Sequence, residues 1–470
     1  MNKKIKSLIA LTACFAIAAL GGCRSTPSVQ VQEPTRSTVK LVSTTKSKED
    51  TKNGENATVT ITENTENTIY DGMDLSIFDL DRYDNAKYME YYWDNHIMYN
   101  ESAMIVRNAD GTLDPVKLLF HVDEIISVRS ADLTKKYQEG VDYKIENGTL
   151  VVLENGNIPI LNYDRMYFET NPGEAGSGTT VEGNENVQAF PTVDGKYEIY
   201  QEAGILYEHQ IAVTYYHKDK GNYTVPLTQT REFSGLIGKL QRGESVNIAC
   251  LGDSISNGSS ASGFFGTKLE PCMPSYFGLV GDYIKVKFNY QRVCLYENPE
   301  HYVADNKNEE TRIKMTNFSV GGKDSYWGVE QTSAVAAVNP DLVILGFGMN
   351  DGSAYTSAEA YYTNMQKIVN AIRKSNPDCA FVLLGTMLPN ANICWNVGGA
   401  SIYGNQEKYL PKLQTLASEE AGVVLADITT LHKEYLTVKN YRDMTGNNVN
   451  HPNDFLTRLY AQTIVKTIFG

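Results

Sequence analysis

The chain has 470 residues, of which 42% are hydrophobic and 21% are charged, so it is long enough for two or three domains with ordinary globular cores. Its formal net charge is −14. This charge argues against a nucleic-acid-binding surface, because binding phosphates needs a clustered excess of lysine and arginine. It is typical of a soluble extracellular surface.

Residues 1–23 have the pattern of a bacterial lipoprotein signal peptide. A basic start is followed by an apolar run at 8–20, which is too short to span a bilayer as a mature helix. The run ends in Leu-Gly-Gly-Cys, which resembles a lipobox. We expect Cys23 to be lipidated and to anchor an exported protein to the membrane, at the cell surface. The alternative is a plain secretory signal, which also exports the chain.

The next segment, residues 24–68, is rich in Ser and Thr and has no aromatic residue. Such a composition cannot bury a core and predicts a disordered, solvated tether. The tether would hold the following domains away from the lipid anchor.

Residues 69–240 are predicted to form a β domain. Apolar or β-branched runs at 117–122, 150–153 and 211–216 are separated by Asn-Gly and Asp-Gly turn signals. Many short strands with tight turns are typical of a β-sandwich or jelly roll.

Residues 241–470 have the pattern of an α/β domain with a parallel sheet covered on both faces. The ligand site of such a domain lies at the carboxyl ends of its strands. The predicted strands are 246–251, 314–320, 342–345, 380–385 and 423–428, and the predicted helices are 275–286, 325–338, 357–374, 406–421 and 455–468.

Four polar segments stand at the ends of these elements. Gly-Asp-Ser-Ile-Ser-Asn-Gly surrounds Ser254, Asn-Phe-Ser-Val-Gly-Gly fills 317–322, and Gly-Met-Asn-Asp fills 348–351. The fourth is His451, followed by Pro-Asn-Asp. A small residue before the Asp-Ser pair lets the chain turn sharply and expose the serine hydroxyl.

In this order, the four segments resemble blocks I, II, III and V of the SGNH/GDSL hydrolase family. The resemblance covers residues 245–470 and implies a three-layer α/β/α, flavodoxin-like domain with esterase activity and no cofactor. It implies that Ser254 is the nucleophile and His451 its general base. The oxyanion hole would consist of the backbone N–H groups of Ser254 and Gly322 and the side-chain amide of Asn350.

One position departs from the family pattern. The family usually has Asp three residues before the histidine, where this chain has Asn448. Some carbohydrate esterases of this fold, of the family-two type, orient the histidine with a backbone carbonyl and carry a β jelly roll before the SGNH domain. The similarity favours a Ser–His dyad, oriented by Asn448 or a backbone carbonyl. Asp443, Asp454, an acid supplied from elsewhere and a weak site remain alternatives.

The leading functional hypothesis is a cell-surface esterase that removes O-acetyl groups from a carbohydrate. Trp327 and Trp395 are candidates to line a sugar site, although tryptophan is as often a packing residue. No C-x-x-C or H-E-x-x-H motif occurs, so no metal site is predicted.

Two alternatives compete with this hypothesis. A lipid-directed esterase, such as a lysophospholipase or thioesterase, would need an apolar trough near the serine, whereas loop 259–263 is small and polar. A glycan-binding lipoprotein with an inactive SGNH domain is favoured only by Asn448.

Overall fold

The structure is a computed structural model. It describes residues 69–70, 73–74, 83, 93, 96–172, 179–181, 184–202, 204–219, 223–264, 269–296 and 312–470. All of them belong to one compact unit, Thr68–Gly470. The predicted signal peptide with Cys23, and the predicted tether, lie outside the described residues.

Residues 69–240, called the β region below, contain two four-stranded antiparallel sheets. The strands are β1 (Ile69–Tyr70), β2 (Met73–Asp74), β3 (Ile97–Met104), β4 (Glu124–Ser130), β5 (Lys136–Tyr137), β6 (Tyr143–Glu146), β7 (Thr149–Val152), β8 (Tyr167–Phe168), β9 (Thr179–Val181), β10 (Asn184–Pro191), β11 (Tyr197–Tyr200) and β12 (Gln210–Tyr216). One sheet has the order β3-β12-β4-β5 and the other β8-β11-β10-β9, while β1–β2 and β6–β7 form separate two-stranded sheets. Short helices are α1 (Tyr163–Met166), α2 (Gly204–Glu208) and α3 (Ser234–Gln241), with a 3-10 turn at Thr230–Phe233.

Of the predicted strands of this region, those at 150–153 and 211–216 are present as β7 and β12. The predicted strand at 117–122 is wrong, because this segment is irregular. Side chains accept two of its backbone donors: the N–H of Leu119 donates to the Glu101 carboxylate at 2.9 Å, and that of Phe120 to the Tyr215 hydroxyl at 3.2 Å. Its apolar residues Leu118, Leu119 and Val122 are buried without belonging to a sheet.

Residues 241–470, called the α/β region below, contain a six-stranded, wholly parallel sheet. Its strands are β13 (Val246–Gly252), β14 (Val293–Tyr296), β15 (Ile313–Asn317), β16 (Leu342–Gly346), β17 (Ala380–Leu384) and β18 (Val423–Ala426), in the order β14-β15-β13-β16-β17-β18. The helices are α4 (Ser254–Asn257), α5 (Tyr276–Lys287), α6 (Ser325–Ala337), α7 (Met349–Ser353), α8 (Ala358–Ser375), α9 (Gln406–Glu419), α10 (Ile428–Tyr435) and α11 (Asp454–Phe469), with a 3-10 turn at Tyr441–Asp443.

This architecture confirms the predicted α/β/α domain preceded by a β region. All five predicted strands are present, and the edge strand β14 and the helices α4, α7 and α10 are additions. Among the described residues, no helix combines the length and the apolarity needed to cross a bilayer.

The side chains of β13 alternate between two apolar cores, as the period of two in a strand requires. Ala249 and Leu251 pack with residues of α6, α8 and α9. Ile248 and Cys250 pack with residues of α5 and α11, and this second core continues into strands β3 and β12 of the β region. The β region and the α/β region are therefore joined by a shared hydrophobic core.

A buried ion pair also joins the two regions. The Lys439 ammonium lies 2.6 Å from the Glu101 carboxylate of β3, and both side chains are fully buried. Glu101 also accepts the Tyr215 hydroxyl at 2.7 Å. A buried charge of this kind is tolerated only where it is paired and hydrogen-bonded. The pair therefore fixes the position of the β region against the α/β region.

Candidate active site

A sharp turn after β13 presents Ser254. Gly252 ends the strand, and a Cβ added there would approach the Gly346 carbonyl oxygen to 2.5 Å, so the turn requires glycine. The Asp253 carboxylate accepts the N–H of Ile255 at 3.0 Å and starts α4 at Ser254. The Asp253 carboxylate thus stabilises the turn, and burial raises its pKa to about 7.

The loop before α11 brings His451 to this serine. Nε2 of His451 lies 2.8 Å from the Ser254 hydroxyl oxygen, although 197 residues separate the two in sequence. The side-chain oxygen of Asn447 accepts the backbone N–H groups of Val449, Asn450 and His451 at 2.9–3.0 Å. Asn447 thus fixes the turn that carries the imidazole.

The other nitrogen of the imidazole contacts a residue that the sequence did not reveal. Nδ1 of His451 lies 2.9 Å from the carboxylate of Glu202, which follows β11 in the β region. The same carboxylate accepts the hydroxyls of Tyr200 at 2.9 Å and Ser260 at 2.6 Å, and the amide of Asn447 at 3.0 Å. The site is therefore assembled from both regions of the protein.

Electrostatics make this pair an ionised carboxylate beside a basic imidazole. Burial raises the pKa of Glu202, but the charge of His451 and hydrogen bonds from His451, Ser260 and Asn447 outweigh it and lower the pKa to about 2. Burial lowers the pKa of His451, but the charge and hydrogen bond of Glu202 outweigh it and raise the pKa above its ordinary 6.5.

These pKa values dictate how the protons can be placed. An ionised carboxylate can only accept hydrogen bonds, so Nδ1–H of neutral His451 donates to Glu202. Nε2 is then left to accept the proton of the Ser254 hydroxyl. A serine hydroxyl activated in this way is a nucleophile for acyl transfer.

The hypothesis that Asn448 or a backbone carbonyl orients the histidine is corrected by the structure. The amide of Asn448 points into the β region, where it donates to the Glu198 carboxylate and to the carbonyl of Ile199, both at 3.1 Å. Glu202 takes the place beside His451, so the acid is supplied from elsewhere in the chain and the site is not a dyad.

Asp443 and Asp454, the other candidates for the acid, have different partners. The Asp443 carboxylate accepts the backbone N–H groups of Met104 at 2.9 Å and Asn440 at 2.8 Å. The Asp454 carboxylate accepts that of Ser262 at 2.8 Å. Both aspartates hold backbone segments in place.

Of the segments predicted to form the oxyanion hole, the glycine segment 321–322 borders the serine. A Cβ added to Gly321 would lie 3.8 Å from that of Ser254, and Gly322 is exposed with a φ of +74°. The Asn350 amide donates to the carbonyl of Lys323 at 2.8 Å, which ties it to the glycine loop. An amide nitrogen carries two N–H donors, so its second N–H can serve an oxyanion.

Of the two tryptophans singled out in the sequence, Trp395 is 42% exposed. It packs edge-on against Phe190, with ring centroids 5.5 Å apart, and Phe190 packs in the same way against Tyr200 at 4.8 Å. The Tyr200 hydroxyl donates to Glu202, so an aromatic chain leads from the site to the surface. Trp327 lies partly buried against the core beneath α6.

In the part of the chain that the structure describes, no group of three or more His, Cys, Asp or Glu residues is arranged to hold a metal ion. Residues 250–456 match the model of the GDSL-like lipase/acylhydrolase family. No curated protein matches the chain at a significant level.

Solved structures similar to the chain include three esterases. The two-domain esterase CEX, active on acetylated mannans, has 22% identity and a TM-score of 0.36, over 51% of this chain and 53% of its own. The acetyl xylan esterase AlAXEase has 19% identity and a TM-score of 0.33, over 47% of this chain and 98% of its own. Axe2, an acetylxylan esterase from Geobacillus stearothermophilus, has 15% identity and a TM-score of 0.35, over 48% of this chain and 96% of its own.

The match thus spans about half the length of the two-domain esterase. The family match contains both the serine and the histidine of the site. Residues 250–456 therefore contain a domain that matches the GDSL-like lipase/acylhydrolase family.

Proposed function

We propose that the protein hydrolyses carboxylic esters with Ser254, His451 and Glu202 as a catalytic triad. The observation that carries the proposal is the continuous contact from the serine oxygen to Nε2 at 2.8 Å, and from Nδ1 to the carboxylate at 2.9 Å. This is the arrangement by which serine hydrolases activate their nucleophile.

The residues then act in two half-reactions. Ser254 attacks the ester carbonyl while Nε2 of His451 takes its proton, and the N–H groups of Ser254, Gly322 and Asn350 bind the oxyanion. The imidazolium protonates the leaving alcohol, which leaves an acyl-enzyme. Water, deprotonated by His451, attacks the acyl group, and the proton returns to Ser254 as the acid departs.

Glu202 holds the imidazole in the required tautomer and stabilises the imidazolium formed in each half-reaction. A complete triad argues against the inactive binding protein, because Asn448 was the only feature that favoured it. Glu202 comes from the β region and not from the position three residues before the histidine, but it lies beside the histidine as the family's aspartate does.

The substrate class that fits best is an O-acetylated carbohydrate. The loop after the serine is closed and polar: Ser260 donates to Glu202 at 2.6 Å, Ser262 accepts the N–H of Met273 at 2.8 Å, and Ala261 is fully buried between them. Such a loop offers no apolar trough to a long acyl chain. The exposed face of Trp395 suits the C–H face of a sugar ring.

We also propose that the protein acts at the cell surface, anchored through a lipidated Cys23. The lipobox-like sequence and the Ser/Thr-rich segment after it support this location. Metabolic labelling with an alkyne fatty acid should tag the wild type and leave Cys23→Ser unlabelled. Equal labelling of both would contradict the anchor.

The esterase proposal is tested by acetate release from acetylated xylan, mannan and peptidoglycan, with Ser254→Ala as the control. Release by the wild type alone, from one glycan, would support both the activity and the substrate class. Faster hydrolysis of p-nitrophenyl decanoate than of p-nitrophenyl acetate would favour a lipid substrate. A fluorophosphonate that labels a residue other than Ser254 would refute the triad.

A further inference from the structure

Two carboxylates of the β region reach neighbouring residues of the loop that carries His451. Glu202 accepts the amide of Asn447 at 3.0 Å, and Glu198, on β11, accepts the amide of Asn448 at 3.1 Å. The first carboxylate belongs to the proposed triad. The second does not contact the imidazole, and the mechanism described above does not use it.

Glu198 is buried, with 7% exposure, and its partners come from two separate loops. Besides Asn448, it accepts the amides of Asn390 at 3.2 Å and Asn392 at 3.1 Å, in the loop after β17. Asn390 also donates to the backbone carbonyl of Asn448 at 3.0 Å. A buried carboxylate is tolerated when it accepts charge-assisted hydrogen bonds, and here three amides donate them.

Asn448 adopts a left-handed conformation, with a φ of +64°. Non-glycine residues rarely adopt this conformation, but asparagine does so more readily than most. The turn at this position sends the chain back toward Ser254, three residues before His451. The bonds from the Asn448 amide to Glu198 and Ile199 hold that turn against the β region.

Position 448 needs a hydrogen-bond donor toward Glu198 and the Ile199 carbonyl. An aspartate there would place a second carboxylate about 3 Å from that of Glu198, and it would offer no N–H to the Ile199 carbonyl. Two like charges at this distance destabilise each other strongly. The amide is therefore the side chain that matches Glu198.

We propose that Glu198 and Asn448 form a pin through which the β region positions His451, and that this pin accounts for an amide where the SGNH family usually has aspartate. The inference rests on the proposed esterase function. Both are positioning residues, since they act through the loop that carries the imidazole and touch neither the substrate nor Ser254.

The test compares three variants of the full-length protein: Glu198→Gln, Asn448→Asp and the double variant. Turnover of p-nitrophenyl acetate is expressed per active site titrated with a fluorophosphonate, so misfolded protein is not counted. Each single change should lower kcat about 10- to 100-fold with KM within about twofold, the range expected for a misplaced catalytic group. The double variant should recover part of this loss, because the carboxylate and the amide have exchanged places and face each other again, while the Ile199 carbonyl still lacks its donor.

The pH profile separates the pin from the triad. In Glu198→Gln the acid limb of kcat/KM should stay at the wild-type pH, because Glu202 still faces His451. Glu198→Asp, which keeps the charge but shortens the side chain, supplies a second and milder probe that should also lower kcat. Glu208→Gln, an exposed glutamate of α2, should leave kcat and KM unchanged.

Single variants with wild-type kcat per titrated site and only a lower melting temperature would overturn the inference, since the contact would then be merely structural. So would a double variant as impaired as the product of the two single effects, because the side chains would not be acting as a pair. A wild type that turns over no ester and takes no label on Ser254 would instead refute the esterase proposal, and the pin with it.

Discussion

Replacing Glu202 by glutamine removes the charge that faces His451 while keeping the size of the side chain. In the wild type one carboxylate oxygen accepts Tyr200 and Asn447, and the other accepts Ser260 and His451. An amide presents one acceptor and one donor, so either orientation turns an N–H group toward a donor. The substitution therefore disturbs the imidazole as well as removing the charge.

The expected loss in kcat is about 10²- to 10⁴-fold, where the upper figure is the cost of the analogous Asp-to-Asn change in a serine protease triad. The lower figure applies because the Glu202 side chain is 25% exposed, so water can replace part of the lost stabilisation. The substitution should also shift the pH dependence of kcat/KM in a defined direction. Glu202 holds the pKa of His451 above 6.5 against the effect of burial, so without it the pKa falls and the acid limb of kcat/KM moves to lower pH.

The assay is kcat/KM for p-nitrophenyl acetate between about pH 5 and pH 9, because this parameter reports the ionisations of the free enzyme. Glu208→Gln is the matched control, an exposed glutamate six residues further along the same segment. A Glu202→Gln enzyme with wild-type kcat and an unmoved acid limb would refute the assignment of Glu202 to the triad.

Three further outcomes are expected. Asn350→Ala should lower kcat by about 10²- to 10³-fold with little change in KM, because it removes one oxyanion donor, and steady-state kinetics would detect this; a change confined to KM would contradict it. Lys439→Met should lower the free energy of unfolding in urea by about 3–5 kcal/mol, since it leaves Glu101 buried without its counter-ion; a loss below about 1 kcal/mol would contradict the burial of the pair. The contribution of Glu202 to the unfolding free energy is fully present above its unfolded pKa of 4.5 and is lost as the pH falls toward 2. The contribution of His451 is fully present below its unfolded pKa of 6.5 and is lost as the pH rises through its raised pKa. The difference in unfolding free energy between wild type and Glu202→Gln should therefore be largest between pH 4.5 and 6.5, and a difference that grows above pH 8 would contradict this.

The parts of the site that were predictable are those encoded over short stretches of chain. Gly252, Asp253 and Ser254 form a strand, a turn and a helix start within a few residues, so the sequence itself marks where the hydroxyl emerges. His451 was found through a block of the family pattern. The alternation of apolar strands and amphipathic helices likewise predicted all but one strand of the parallel sheet, and β14 is a four-residue edge strand too short for a periodic signal.

Glu202 could not be found in this way. It lies 249 residues from His451, in a stretch whose pattern is that of an ordinary β-strand end. Its role depends on how the β region packs against the α/β region, which no local pattern records. The irregular segment at 117–122 shows the same limitation, because periodicity alone cannot distinguish a buried loop from a buried strand.

The origin of the acid has a mechanical consequence. In an SGNH domain with its aspartate three residues before the histidine, both groups move together with one loop. Here the carboxylate belongs to one region and the imidazole to another, and the relation between them is set by the shared core, the Lys439–Glu101 pair and the contacts of Glu198 with Asn448. Because a displacement of about 1 Å can cost a catalytic group two orders of magnitude in rate, loosening this contact should reduce turnover before it unfolds the protein. In the proposed mechanism, the β region is thus part of the catalytic apparatus.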